Sequence, residues 1–328
     1  MADEVKMRLA CFILPFVASA FAEPQHEVVP DWPRLPEGHG LGVCAGVGVD
    51  AQNRVFVFHR SGRTWSNPFP KEPIEAPTIS VIDGATGQLL ATWGERRFIM
   101  PHGLSIDAEG NVWLTDVGLH QVFKCSPEGK TLLTLGEAGV PGTDSKHFNL
   151  PTDVAVMNDG SFYVSDGYKN TRVMKFSAAG RFEHEWGTKG PGSGQFHLPH
   201  GIALDAKGRV VVCDRENERV QLFDARGEFL EAWKGPHLGK PYGIATTPDG
   251  HVFLIDGGSP SVRREQRGKA VELDAAGTVR DTFGSFGKAA GQFRLGHDIA
   301  IGPDGDVYVA EATGARVQKF VRKKPVRN

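Results

Sequence analysis

The sequence predicts an all-β fold, a six-bladed β-propeller. One pattern recurs six times: a turn residue, alternating apolar positions, a small polar loop, then an apolar strand ending in an acid or histidine. No copy needs a gap over this stretch, and its interval is 14 residues every time, as from His102 to Asp116 or His200 to Asp214. The copies start at Cys44, Pro101, Pro151, Pro199, Pro241 and Gly296.

Each copy carries four strand signals. The first two alternate apolar residues at period two, as Val112 with Leu114 or Val210 with Val212. A third follows, as in 171–176 and 218–223, and a fourth ends before glycine at Trp93, Leu135, Trp186 and Phe283. Four strands per repeat of about 40–57 residues is propeller geometry; a parallel β-helix uses shorter repeats. The sixth copy lacks a fourth strand, and Glu27–Trp32 is read as its donor, because an unpaired sheet edge is a liability. The alternative is a loose N-terminal tail. The expected organisation is therefore a signal peptide over 1–22, an N-terminal segment over 23–37 that closes the ring, the propeller over 38–323, and a basic tail over 324–328.

Composition agrees with many tight turns: 41 Gly and 21 Pro lie scattered among β-branched and aromatic runs. With 37 Lys plus Arg against 39 Asp plus Glu, the near-neutral balance argues against nucleic-acid or anionic-membrane partners. An apolar run from Leu9 to Ala22 follows Lys6 and Arg8 and ends in Ala20-Phe21-Ala22, a small-x-small cleavage pattern. It is too short to span a bilayer, so the expected location is secreted or periplasmic. Asp3 and Glu4 dilute its positive start, which leaves Met7 as an alternative first residue. Beyond the leader only Cys44, Cys125 and Cys213 remain, with no Cys-x-x-Cys spacing, so no disulfide framework is expected. A monomer is expected.

The first strand of each propeller blade lines the central channel, so equivalent residues face one another across the axis. The residue after the turn position is Ala45, His102, Thr152, His200, Tyr242 and His297 in the six copies. The three histidines fall in alternate blades, which sets them about 120° apart around a six-fold ring. That matches a zinc site with three protein ligands and an open fourth position. Other imidazole-binding metals fit the same set. Histidine makes up 12 of 328 residues, so three in one column of six arises by chance roughly once per thousand columns. His39, His120, His184, His237 and His251 show no such register and read as surface or turn residues. His147 and His197 precede blades near the mouth.

Fifteen residues past the column stand Arg60, Val117, Gly167, Arg215, Gly257 and Ala312; Tyr168 stands one further on in its copy. Two arginines and a tyrosine at strand ends suit a carboxylate, and their small neighbours are expected to leave room for it.

The runs Phe58-His59-Arg60, Pro101-His102-Gly103-Leu104-Ser105-Ile106-Asp107, Pro151-Thr152-Asp153-Val154, Ser165-Asp166-Gly167-Tyr168 and Asp214-Arg215-Glu216-Asn217 carry a resemblance. The repeats resemble NHL repeats. The runs resemble peptidyl-α-hydroxyglycine α-amidating lyase, the second catalytic domain of the animal peptide-amidating enzyme, over roughly Gly38 to Phe320. The resemblance implies a catalytic zinc on His102, His200 and His297, with Tyr168, Arg60 and Arg215 as catalytic residues. It also implies a structural calcium on the main-chain carbonyls of Val47 and Leu104 and the carboxylate of Asp298, a hard-oxygen set that suits that ion. The implied substrate is a peptide or small molecule ending in α-hydroxyglycine, cleaved to a primary amide and glyoxylate, with Tyr168 as base.

There are departures from the family pattern. Its four disulfide cysteines correspond to Asn149, Lys169, Val211 and Leu222, and Leu295-Gly296 stands before the last histidine in place of Met-Pro. The copper monooxygenase domain of the animal enzyme is not among these 328 residues. One rival reading is a secreted, non-catalytic NHL propeller that binds a peptide or carbohydrate with structural metals alone. Another is a lactonase-type propeller, which uses carboxylate and Asn ligands to calcium.

Overall fold

A computed structural model describes residues 24–258 and 267–324. The expected leader over 1–22 lies outside the described residues, as do 325–328 of the tail. Six four-stranded antiparallel sheets form the blades of a propeller. Their innermost strands are Cys44–Val49, Pro101–Ile106, Pro151–Val156, Pro199–Leu204, Pro241–Thr246 and Gly296–Ile301. Among the described residues no helix is long and apolar enough to cross a membrane.

The period-two alternation has a direct structural meaning. Both faces of a blade are buried, so alternate residues of one strand serve two different neighbours. In the second strand of blade 1, Val55 and Val57 pack toward blade 6 with Tyr308 and Val317. Phe56 and Phe58, on the opposite face, pack toward blade 2 with Leu104 and Leu114. Apolar clusters of this kind fill all six gaps between blades. Every fully buried apolar side chain here contributes roughly 1.5–3 kcal/mol. The ring is held by the sum of such layers; among the described residues there is no disulfide, and Cys44, Cys125 and Cys213 are buried and free. Val211 and Leu222, two of the positions where the family pattern has cysteine, face each other across a strand pair and are fully buried.

In blades 2 to 6 the acid that ends the second strand fixes the start of the first strand in its own blade; blade 1 has His59 there. Asp116 accepts hydrogen bonds from the main-chain N–H groups of Ile99 and Met100. Asp166 does the same for Asn149, Asp214 for His197 and Leu198, Asp256 for Lys240, and Glu311 for Arg294. These donors lie just before the channel strand, so the acid sets where that strand enters the axis.

The sixth sheet is completed from the N-terminus. His26–Val28 pairs antiparallel with Arg316–Arg322 in the register His26↔Arg322, Glu27↔Val321, Val28↔Phe320. The strand starts one residue before the segment read as its source and stops early. Val29 N–H still reaches Lys319 O at 2.8 Å, but Pro30 has no N–H to give, and Asp31 turns at φ 56°. The strand is also tied sideways to blade 5. His26 Nδ1 lies 2.7 Å from Asp281 Oδ2 and 3.9 Å from Glu272 Oε2, and Arg322 reaches Glu272 at 2.6 and 2.8 Å. Burial works against the Asp281 carboxylate, but hydrogen bonds from His26 and the Gln25 N–H outweigh it and hold its pKa below the usual range. His26→Ala is expected to cost about 1.5–3 kcal/mol, the worth of a hydrogen bond to a charged group. The measurement is the urea unfolding midpoint; a midpoint equal to wild type would show that the side-tie does not hold the strand.

Candidate metal and active site

The column residues meet at the axis as the repeat register requires. His102, His200 and His297 are buried, and their ring centroids form a near-equilateral triangle with sides of 4.8, 4.7 and 4.9 Å. One ligand nitrogen from each lies within 4.8 Å of the others, near the roughly 3–4 Å of tetrahedral ligand atoms.

Their orientation comes from the backbone. His102 Nδ1 lies 2.7 Å from Thr152 O, His200 Nδ1 2.8 Å from Tyr242 O, and His297 Nδ1 2.7 Å from Ala45 O. In each case the carbonyl belongs to the column residue of the following blade. A carbonyl can only accept, so Nδ1 carries the proton and Nε2 keeps its lone pair for the centre. The blades must approach closely for this contact. At Gly103, next to His102, a Cβ would sit 2.4 Å from Thr152 O, so a side chain there would push the two strands apart. Burial, then a neighbouring imidazole and the Arg60 and Arg215 cations, pushes His102 well below the ordinary imidazole value, and burial, the neighbouring imidazoles and Arg215 do the same to His200. Burial and the two arginines bring His297 to about 3. Three neutral imidazoles with convergent Nε2 atoms form the donor set that a divalent metal such as zinc accepts.

Tyr168 stands directly above the triangle. Its hydroxyl lies 3.0 Å from His102 Nε2 and 3.3 Å from His200 Nε2. Arg215 Nη1 donates to the same oxygen at 3.4 Å, while Arg215 Nε is held by Glu216 Oε1 at 3.0 Å. The Arg215 guanidinium also covers the Tyr242 ring at 4.5 Å. Arg60 is buried, with Nε donating to Pro101 O at 2.9 Å. Burial lowers its pKa to about 10 against the opposing pull of Tyr168 and Asp116, which leaves it a cation at neutral pH. One phenol and two cations therefore face the open side of three imidazoles.

Val47, Leu104 and Asp298 line the channel beneath the histidine layer, in a chamber of about 240 Å³. Asp298 Oδ2 accepts the Val47 N–H at 2.9 Å, and its other oxygen accepts the Ile299 N–H at 2.9 Å. Asp153 stands in the same chamber, a residue that sequence reasoning did not single out. Burial raises the Asp153 pKa to about 7 and, with the Asp153 charge added, raises that of Asp298 well above the carboxylate range. The signal for this pair lies one residue past the histidine column. That position reads Gly46, Gly103, Asp153, Gly201, Gly243 and Asp298, so the two acids sit in opposite blades. Two buried carboxylates without a facing cation repel, which makes the layer suited to a hard cation.

One expectation needs correction. The glycines of the mouth ring do not make room for a ligand: a Cβ at Gly167 would meet Pro199 O at 1.8 Å, and one at Gly257 would meet Gly296 O at 2.7 Å. They accommodate the neighbouring blade. His39, His120 and His251 are half-buried at or beside turns, with partners in Ser80, Leu150 and Glu272. His147 pairs with Asp144, outside the channel cluster. Arg215 itself opens a short 3-10 turn, Arg215–Asn217, that no periodicity announces.

The chain matches known proteins at several levels. An NHL repeat model matches residues 148–176 and 196–223. Peptidyl-glycine alpha-amidating monooxygenase B of Xenopus laevis is 39% identical over 314 residues, which cover 90% of this chain and 35% of that protein. Peptidyl-alpha-hydroxyglycine alpha-amidating lyase 2 of Drosophila melanogaster is 35% identical over 312 residues, covering 89% of this chain and 73% of that one. The chain belongs to the peptidyl-α-hydroxyglycine α-amidating lyase family. It spans about a third of the length of the amphibian monooxygenase it matches. Among solved structures, a streptogramin B lyase superposes with a TM-score of 0.59 at 15% identity, covering 88% of this chain and 96% of that one. At that identity the likeness speaks for the propeller fold alone.

Proposed function

We propose that this protein is a zinc-dependent lyase that cleaves peptidyl- or N-acyl-α-hydroxyglycine to a primary amide and glyoxylate. The observation that carries the reading is Tyr168: its hydroxyl lies within hydrogen-bond distance of two channel imidazoles and of Arg215. A metal with a purely structural task would need no phenol poised over its ligands between two cations. That separates this reading from a non-catalytic NHL propeller.

His102, His200 and His297 would hold zinc, which would supply Lewis-acid polarisation of a substrate oxygen. The chain's own residues do the rest. Arg60 and Arg215 bind the substrate carboxylate, and charge-assisted bonds to guanidinium fix its orientation. Tyr168 acts as the general base that takes the proton of the α-hydroxyl. The electron pair of that O–H bond becomes the aldehyde C=O of glyoxylate as the C–N bond breaks. The amide nitrogen leaves with the bonding pair and gains a proton, so the primary amide is neutral. Val47 and Leu104 carbonyls with the Asp298 carboxylate would hold calcium beneath, and Asp153 adds the charge that favours it. The expected leader would deliver the protein to a secreted or periplasmic location, where it works as a monomer.

The assay is glyoxylate release from an N-acyl-α-hydroxyglycine. Tyr168→Phe is expected to lower kcat about 10²–10⁴-fold with KM and zinc content near wild type. Arg60→Ala is expected to raise KM instead. A Tyr168→Phe enzyme with full zinc and undiminished turnover would remove Tyr168 from the role of base.

Calcium can be tested without turnover. Adding calcium to chelated wild type at about 100 times its Kd is expected to stabilise it by about 2.7 kcal/mol, seen as a raised thermal midpoint. In Asp298→Asn that shift is expected to vanish. A wild-type midpoint indifferent to calcium would refute the ion.

A further inference from the structure

Trp65 has no place in the mechanism above. It lies on the connection over residues 60–78, between the second and third strands of blade 1, Arg54–His59 and Ile79–Asp83. Trp65 is 43% exposed, while Trp32, Trp93, Trp113 and Trp233 are all buried. A single exposed hydrophobic side chain is ordinary, so a role for this indole must come from what it touches.

Its neighbours supply one. The indole lies 5.0 Å from the Tyr168 ring at a tilt of 44° and 4.8 Å from Phe69, edge to face. The Arg60 guanidinium sits 5.5 Å from its centre. Trp65 thus touches both the proposed base and one of the proposed carboxylate-binding groups. The loop that carries it is fastened: Arg63 Nη1 donates to Glu72 O and Ile99 O, both at 2.8 Å, and Ile74 N–H reaches Phe98 O at 2.8 Å. The opposite rim is ionic, with Glu216 bridging Arg215 at 3.0 Å and Lys240 at 3.1 Å. The mouth therefore has one aromatic wall and one charged wall.

We propose that Trp65 selects substrates in which the residue before the α-hydroxyglycine carries an aromatic ring. This rests on the lyase reading. With the carboxylate held by the arginines and the hydroxyl at Tyr168, the acyl part must run outward, because the histidine layer closes the channel below. The preceding residue begins one peptide unit, about 3.8 Å, from the reacting carbon. Its side chain then comes over the indole next to Tyr168. Among the described residues the opposite rim presents charged groups, Glu216 and Lys240, where this side presents an indole. Ring-on-ring contact with its area burial gives roughly a tenfold preference.

The test compares N-acetyl-Phe-α-hydroxyglycine with N-acetyl-Gly-α-hydroxyglycine by glyoxylate release, as the ratio of their kcat/KM values. Taking the ratio cancels any disturbance that a substitution passes to Tyr168 or Arg60. Wild type is expected to favour the Phe substrate about tenfold or more. Trp65→Ala and Trp65→Leu are expected to bring the ratio to within about twofold of unity, and Trp65→Phe to keep most of it. Leu retains apolar bulk, so it serves if the Ala protein does not fold. Equal wild-type use of both substrates, or an unchanged ratio in the Leu or Ala protein, overturns the role of Trp65 and leaves the lyase reading intact. A zinc-loaded wild type that releases glyoxylate from neither substrate overturns the lyase reading, and this inference with it.

Discussion

The hydrogen bond from each channel imidazole to the carbonyl of the next blade organises everything above it. It runs from blade 2 to blade 3, from 4 to 5, and from 6 to 1. Because the acceptor is main chain, the imidazoles are oriented by the propeller itself rather than by other side chains. One contact settles two properties at once. It fixes the tautomer, and it turns each Nε2 lone pair toward the axis. Burial then keeps those nitrogens free of protons. The blades with no histidine in the column are not idle, since Ala45, Thr152 and Tyr242 contribute the acceptors.

The packing and the site obey the same register. A strand buried on both faces cannot slip by one residue without moving Val55 and Val57 into the gap meant for Phe56 and Phe58. Such a slip would also rotate His102 and its counterparts out of the channel. The terminal acids, such as Asp116 and Asp214, bind the main chain ahead of the channel strand and so defend that register locally. Fold stability and site geometry are thus tied through the same side chains.

This coupling explains how much was legible in the sequence. Repeat register carried the blade count, the histidine triangle and the placement of Tyr168, because each depends on position within a repeat. The Asp153 and Asp298 pair is written in the same register, one residue further, although the resemblance points to Asp298 alone. The glycines at the mouth are the opposite case. A sequence shows a missing side chain but not what occupies the space, which at Gly167 is the Pro199 carbonyl. Trp65, the short turn at Arg215 and the tie between His26 and Asp281 lie in irregular segments or between distant parts of the chain. Periodicity carries no information about such meetings.

The order in which the chain is made bears on when the site can exist. Its third imidazole, His297, takes its orientation from Ala45, a residue 252 positions earlier. The last blade is itself finished by residues from the very start of the described chain. A growing polypeptide can stack blades as they emerge, yet it holds no triangle of imidazoles until His297 has emerged and met Ala45. Any ion that needs all three imidazoles can therefore bind only once the sixth blade has joined the ring. A partly made or truncated chain has no such cluster with which to capture metal prematurely.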